Sequence, residues 1–481
     1  MKTTREADFV SATTKKVLKV VIPVVIAVII GVIPAPEGLT QPAMIYAGIF
    51  VCVVAWLVFR AVPDWAAFLA CLAAYVVFGL AKFGDVFSSF ADGTTWVLFG
   101  AFGISTVIAK TGLVKRLAFW VLRLFPETYR GQMTAFYATG LVVSPFIPAL
   151  IGKGVILSPI AAAASKALGY ERSSKQATGM FLAVWVTAGI LGFAFMTGAA
   201  PVLITIGMLP ADQQANWTWT SWFTACAIWF VVVAVLSYIV ILFISGANKP
   251  QSKPVAAAGE KGFAAKQLED LGPMSNAEKA TIALLAVAVI GWIFGSKVGL
   301  SAAIVSVGIF AIMAVVGLAD TKDVTERMPW DTLILIGGIL SLASLLTKLG
   351  IATWLATVME PIAAPIVANP YIYVFAVCIL TYLVRLVVVS STATQVIFLA
   401  ALGGVAAAAG INPFVTLFVC GASANVWHLR FTNNVFIPIL RATGNDMCEH
   451  EDTLSFDIAF MVINLIACMA SVPVWQSLGL A

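Results

Sequence analysis

Apolar positions in this chain neither alternate nor recur every third or fourth place; they run on in long blocks separated by short polar gaps. The blocks cover roughly 17–33, 43–60, 64–81, 93–109, 175–208, 220–246, 279–296, 301–318, 332–347, 411–440 and 455–478. One crossing of a bilayer core takes about 20 apolar helical residues. In lipid each segment must satisfy its own backbone hydrogen bonds, so the blocks read as helices. A membrane β-barrel would instead show short alternating segments. Two further stretches, 133–165 and 370–410, are too long for one helix and carry polar or helix-breaking residues midway. The pattern predicts an all-α polytopic membrane protein of about 11 transmembrane helices plus two re-entrant hairpins.

The polar gaps set the organisation. Residues 1–16 are polar, and the run from Val17 follows Lys15 and Lys16. That run is long for the apolar region of a signal peptide and more blocks follow, so it reads as a first transmembrane helix. The one long hydrophilic stretch, 247–277, carries Lys249, Lys253, Lys261 and Lys266 with Pro250 and Pro254. It reads as a cytoplasmic linker. The expected parts are 1–40 (tail and first helix), 41–247 (a first repeat with hairpin 133–165), 248–277 (linker) and 278–481 (a second repeat with hairpin 370–410). Lys and Arg of short loops favour the cytoplasm. Lys2, Arg5, Lys15, Lys16, Arg60, the cluster Lys115, Arg116, Arg123 and Arg130, and then Lys322 and Arg327 therefore mark the inside. The gaps 34–42 and 209–219 hold no Lys or Arg and fall outside. This assignment works only if each broken stretch leaves on the side it entered. It puts the N-terminus in the cytoplasm and the C-terminus outside, in a multi-pass protein of the cytoplasmic membrane.

An internal repeat supports the division. GAFGISTVIAKTGLVKRLA from Gly100 aligns with GILSLASLLTKLGIATWLA from Gly338, an offset of 338 − 100 = 238. Lys110 then meets Lys348, Gly112 meets Gly350, Leu117 meets Leu355 and Ala118 meets Ala356. The same offset carries one broken stretch onto the other. Five spans and a hairpin per half would reverse the second half, the inverted-repeat plan of secondary transporters. Substrate in that plan sits near the midplane, where helices are interrupted.

The candidate chemistry lies at the two breaks. The first hairpin reads SPFIPALIGKGVILSPI from Ser144, with Gly152, Lys153 and Gly154 at its expected tip. The second reads RLVVVSSTATQVIFLAALGG from Arg385, with Ser390, Ser391 and Thr392 at the positions that the offset matches to those three. Glycine allows close backbone approach to a ligand. Hydroxyls can donate to a carboxylate or accept around a cation. Lys153 is a charge within a membrane segment, and such charges mark function unless they reach an interface. Arg385 and Arg430 are similar, with an internal pair or a place near an interface as the plain alternatives, while His428 reads more plainly as a packed polar side chain than as a site residue. The helix after each hairpin also breaks, at MTGAAP from Met196 and WHLRFTNN from Trp427. Thr197, Thr432, Asn433 and Asn434 are candidates for the remaining polar lining. No Asp or Glu occurs in either hairpin or in the two interrupted helices. Cations without acids favour an anionic substrate.

Composition excludes more than it adds. Of the 481 residues 61% are hydrophobic and 11% charged, against about 25% charged in soluble domains. The net charge of +5 is scattered between spans, so nucleic acid is not a partner. Seven cysteines without a CxxC pair and two histidines give no metal-site pattern. The spans hold no HExxH or GxSxG, so no enzyme is expected. An anion channel would need continuous polar rings rather than paired tips.

The strings GISTVIAKTGLVKRLAFWVLRLF and MPWDTLILIGGILSLASLLTKLGIATWLA, with both hairpins and the linker position, resemble the divalent anion/sodium symporter family of di- and tricarboxylate carriers. The resemblance covers nearly the whole chain from about residue 40. It implies a homodimer in the lipid bilayer that moves a small organic dianion by an elevator motion. Family members usually carry Ser-Asn-Thr at both tips, holding substrate carboxylate and sodium. Ser390, Ser391 and Thr392 keep this in the second hairpin, so a sodium ion is conceivable near Ser390 and Thr392. Gly152, Lys153 and Gly154 stand where the first is expected. The reading is a sodium-independent exchanger of C4-dicarboxylate or citrate-like anions, with Lys153 in the charge role of a cation and no cofactor. The alternatives are a sodium-coupled symporter of dicarboxylate, sulfate or sulfonate, and an anion channel.

Overall fold

The computed structural model describes residues 2–214, 216–246, 262–430 and 432–481. Lys249, Lys253 and Lys261 of the expected linker lie outside these, as do the side chains of Lys2, Arg5, Lys15 and Lys16. Lys266 falls in a short helix, Phe263–Asp270.

The described chain is helical throughout. Seven helices are long and apolar enough to cross a bilayer: Gln41–Phe59, Leu150–Ala167, Lys175–Ala194, Trp219–Ile244, Asn276–Val298, Ser391–Ala408 and Glu451–Ser477. Gly93–Lys110 and Leu113–Arg123 form a bent pair, 65° apart, that passes the same test together. Several shorter apolar helices, among them Asp64–Val77, Ala302–Val315, Pro370–Val384 and Pro413–Ser423, complete the bundle. The blocks 17–33, 64–81, 301–318 and 332–347 appear as shorter apolar helices, Val17–Val32, Asp64–Val77, Ala302–Val315 and Trp330–Leu342, and the block 411–440 is broken after Ser423.

The two halves pack crosswise. An added Cβ on Gly100 would lie 2.4 Å from the carbonyl carbon of Ser306, and one on Gly338 would lie 2.5 Å from Cβ of Phe68. These are one contact seen twice, since 338 − 100 = 238 and 306 − 68 = 238. Gly93–Lys110 of the first half thus rests on Ala302–Val315 of the second, and Trp330–Lys348 of the second on Asp64–Val77 of the first. Serine and tryptophan bonds sit at the same places: Ser89 Oγ is 2.8 Å from Ser341 Oγ, and Trp292 Nε1 donates to Ser306 Oγ at 3.0 Å. Small residues let backbones approach closely in lipid, where packing and hydrogen bonds replace the hydrophobic drive.

Each expected hairpin is a pair of helices with a break between them, and the two pairs differ in register. The first is Tyr129–Val143, a break, then Leu150–Ala167; the second is Pro370–Val384, a break, then Ser391–Ala408. Their N-cap residues are Ala149 and Ser390, an offset of 390 − 149 = 241. The extra three residues enter before the incoming limb: Tyr129 follows Leu113 by 16 places, while Pro370 follows Ile351 by 19. They are lost again before the next helix, because Lys175 and Pro413 return to 238. Gly152, Lys153 and Gly154 therefore match Ala393, Thr394 and Gln395, inside the first turn of the outgoing helix. Ala149, Leu150 and Ile151 stand opposite Ser390, Ser391 and Thr392.

Candidate functional site: two junctions of broken helices

Each break has a local cause. In the first hairpin Pro145 and Pro148 remove backbone donors, and Ile147, preceding a proline, takes the extended φ −126°, ψ 101°. In the second, Val387, Val388 and Val389 disfavour helix and Ser390 caps the outgoing limb, accepting from Ala393 N–H at 3.2 Å. The helix after the first hairpin loosens into a π-turn at Val186–Ile190, tightens at Leu191–Ala194, and restarts at Ala200–Met208. The helix after the second ends at Ser423 and restarts at Phe436–Arg441.

The first junction is drawn together by a lysine. Lys153 is fully buried; its ammonium donates to Gly198 O at 2.7 Å and to Ser144 Oγ at 3.3 Å. Ser144 Oγ in turn donates to Thr187 O in the π-turn. Thr197 Oγ donates to Pro145 O at 2.7 Å and accepts from Trp219 Nε1 at 3.2 Å. Ala200 N–H donates to Pro148 O at 3.0 Å, so the two half-helix N-termini at Leu150 and Ala200 are neighbours. The cage is lined by glycine. An added Cβ on Gly192 would lie 2.7 Å from Lys153 Nζ, and one on Gly198 would lie 2.5 Å from Gly192 O.

An arginine does the same at the second junction. Arg385, 1% exposed, closes the incoming limb. Its guanidinium donates to Val388 O at 2.8 Å and to Val389 O, both in the break, and to Thr432 O in the loop of the next helix. Asn433 fastens that loop: its amide donates to Asn425 O at 3.2 Å and Val426 O at 3.3 Å, and its oxygen accepts from Val435 and Phe436 N–H. Among the described residues no carboxylate pairs with Lys153 or Arg385. Buried charges are costly unless paired. Here aligned carbonyls replace the acid, as they would around a metal cation.

The junctions meet crosswise. An added Cβ on Gly154 would lie 2.3 Å from Ile439, so the first hairpin lies against the second half's restarted helix. Gln395 of the second hairpin donates to Thr205 Oγ at 2.9 Å, in the first half's restarted helix, and to Leu417 O at 3.1 Å. Gly152 lines a cavity of about 510 Å³ with Ser105, Thr106, Lys110, Ile147 and Arg327. Positive helix N-termini, two unpaired cations and half-buried hydroxyls at Ser390, Ser391 and Thr392 can bind an anion. Four backbone oxygens at the junctions are taken by these cations: Gly198 O by Lys153, and those of Val388, Val389 and Thr432 by Arg385.

The remaining candidates divide. Thr197, Thr432 and Asn433 are buried in the junctions, Thr432 Oγ donating to Leu429 O at 2.7 Å. Gly154 serves packing between the halves. Asn434 is exposed. Arg430 stands apart, its exposed guanidinium 3.5 Å from Glu449 and 3.8 Å from Glu451, beside the Arg172–Glu449 pair. His428 faces a carboxylate, Asp457, with Nδ1 3.7 Å from Oδ2. Sequence reasoning passed over Asp457 because it belongs to the last span rather than to a broken one; its signal was that it is an acid set in an apolar run. Arg385 was noticed only as a charge, and its three carbonyl partners become visible only in the fold.

The family described as the sodium:sulfate symporter transmembrane region matches residues 14–480. A transporter of Haemophilus influenzae is 30% identical over 347 residues, covering 69% of this chain and 71% of its own. An L-tartrate/succinate antiporter of Escherichia coli is 25% identical, covering 75% and 78%. The solved YdaH transporter of Alcanivorax borkumensis has the same fold with a TM-score of 0.58 at 14% identity, covering 91% of this chain and 98% of its own.

Proposed function

Because the chain belongs to the sodium:sulfate symporter family and is a helical membrane transporter, we propose that it exchanges small organic dianions without sodium, Lys153 standing in for a bound cation. The observation that carries this reading is the buried Lys153 ammonium, held by Gly198 O and Ser144 Oγ with no acidic partner among the described residues. A fixed ammonium supplies the positive charge that a symporter would recruit from solution. Because it cannot leave, the empty site keeps that charge as it crosses, which favours return with a second anion. The crosswise junctions move together in this reading, as one unit against the helices around Gly100 and Gly338, by an elevator motion. The kinship with an L-tartrate/succinate antiporter makes C4-dicarboxylates the first substrates to try.

The test is uptake of radiolabelled succinate, malate and citrate into proteoliposomes, with and without a sodium gradient and with and without unlabelled anion inside. Uptake that needs internal anion and ignores sodium is expected. Sodium-driven uptake into empty vesicles would overturn the reading. It would favour a symporter, for which the half-buried hydroxyls of Ser390, Ser391 and Thr392 are the supporting feature.

A further inference from the structure

Beside the second junction lies an ionisable pair that anion exchange does not use. Asp457, fully buried in the last span, accepts from Trp427 N–H through Oδ1 at 2.9 Å. Among the described residues its Oδ2 has no hydrogen-bond partner, and neither ring nitrogen of His428 has one. The two groups face each other at 3.7 Å, close enough for a small rotation of the imidazole to join them. Capping Trp427 accounts for one carboxylate oxygen only. An amide would cap as well, without the cost of a buried acid. Trp427 is itself fixed on both sides, since its carbonyl lies 2.7 Å from His450 Nε2 and its indole donates to Thr453 Oγ at 3.1 Å. The loop that carries His428 also carries Thr432, whose carbonyl holds Arg385.

We propose that His428 and Asp457 form a proton-binding site linked to anion binding, so that a proton accompanies the anion. It goes beyond the exchange reading and needs only that an anion binds at the junctions.

The surroundings leave this pair as the group that responds. Around the pair stand Arg385, held by Thr432 O, and His450, whose Nε2 lies 2.7 Å from Trp427 O. Glu451 is 4.0 Å from His450 Nδ1, and Asp452 accepts from Glu449 N–H at 2.8 Å. Trp219–Ile244, packed along the last span, contributes no Asp, Glu, Lys, Arg or His. Pro370–Val384 brings Tyr382, whose hydroxyl donates to Met461 O at 2.8 Å, and Cys378; Pro413–Ser423 brings Cys420. With one proton between them, carboxyl and imidazole are jointly neutral, which suits a buried site. A dianion arriving at the tips attracts a further proton through the short loop that joins Thr432 to His428. Linkage is reciprocal, so the proton strengthens anion binding in turn.

The experiment is calorimetry of succinate and malate binding to the full-length carrier near pH 7.5, in two buffers of unlike ionisation enthalpy. This gives protons taken up per anion bound. The wild type is expected to take up a substantial fraction of one proton, up to about one. Asp457→Asn, which can keep the Trp427 cap, should bring this close to zero. His428→Gln, which leaves Asp457 in place, should do the same and serves if Asp457→Asn does not fold. Anion binding with no proton uptake by the wild type would overturn the proposal and leave the exchange reading standing. So would uptake that persists unchanged in a folded variant. Failure of every dianion to bind would overturn both readings together.

Discussion

At the first junction the cation comes from the outgoing limb, Lys153 lying one turn past the N-cap; at the second it comes from the incoming limb, Arg385 closing its last turn. The two positions do not correspond in the repeat, since Lys153 matches Thr394 at the hairpin offset of 241. Yet both side chains end in backbone oxygens of a hairpin break and of the neighbouring broken helix, or, for Lys153, in the Ser144 hydroxyl at the end of the incoming limb. What the halves share is a place for positive charge among carbonyls, which either limb can fill. The surroundings differ in width. The first cage is closed by Gly192 and Gly198, where even a methyl group would collide with backbone oxygen. The second spreads over Val388, Val389 and Thr432 and takes a planar group with several donors.

Removing either cation is the strongest way to break this likeness. Lys153→Met and Arg385→Met keep much of the side-chain bulk but leave buried carbonyls without donors and the anion without a counter-charge. Leaving buried acceptors without a donor costs about 1–3 kcal/mol, and the anion loses its counter-charge as well, so each should lower anion exchange by about 10- to 100-fold. Tracer counterflow in proteoliposomes measures it. Wild-type rates for Lys153→Met would end its role as a fixed cation, whatever Arg385 does.

The conservative exchanges sharpen the comparison. Lys153→Arg places a wide planar group beside Gly192 and Gly198 and should fail nearly as badly as Lys153→Met. Arg385→Lys keeps the charge but not the fork of donors that reaches three carbonyls, and should lower exchange by about tenfold, less than Arg385→Met. The same counterflow assay decides. Equal loss in both variants would show that the cages do not differ in width in the way the glycines indicate.

How much of this the chain shows on its face depends on the range of the interaction. The helix breaks and the 238-residue repeat are local or repeated patterns: Pro145, Pro148, the glycines, and two strings that share Lys110/Lys348 and Gly112/Gly350. The three-residue shift of the hairpins was hidden, because a single offset carried from Gly100 cannot register an insertion compensated before Lys175. It put Lys153 at the tip, while the structure places it a turn inside the outgoing helix. Arg430 and Arg385 look alike in sequence, each a lone cation in an apolar stretch. Only the fold brings Glu449 and Glu451 to Arg430 at the surface and carbonyls to Arg385 in the interior. Asp457 meets His428 across 29 positions and two elements, beyond the reach of any local pattern.

Smaller changes test the fastening on each side. Asn433→Ala loses two donated bonds and the two accepted from Val435 and Phe436 N–H, and should cost about 1–2 kcal/mol. Thr197→Ala loses the bond to Pro145 O and should cost about 1 kcal/mol. Thermal unfolding of the detergent-solubilised carrier compares them. A larger loss from Thr197→Ala would mean that the first junction depends on this one hydroxyl more than the second depends on Asn433.

The smallest expected effect is a gain. Ser390 caps the second outgoing limb with its hydroxyl, whereas Ala149 occupies the same place in the first with no side-chain cap. Ala149 has φ −76° and ψ 95°, an extended conformation much like Ser390 at −76° and 117°, so a serine there needs no change of backbone. Its oxygen would reach the free N–H groups of the first turn at Ile151 or Gly152. Ala149→Ser should therefore stabilise the carrier by about 0.5–1 kcal/mol, while Ser390→Ala destabilises it by a like amount. Thermal unfolding of the two variants reads both signs. A loss in Ala149→Ser would show that the first tip must present bare N–H groups, leaving them to the anion rather than to a cap of its own.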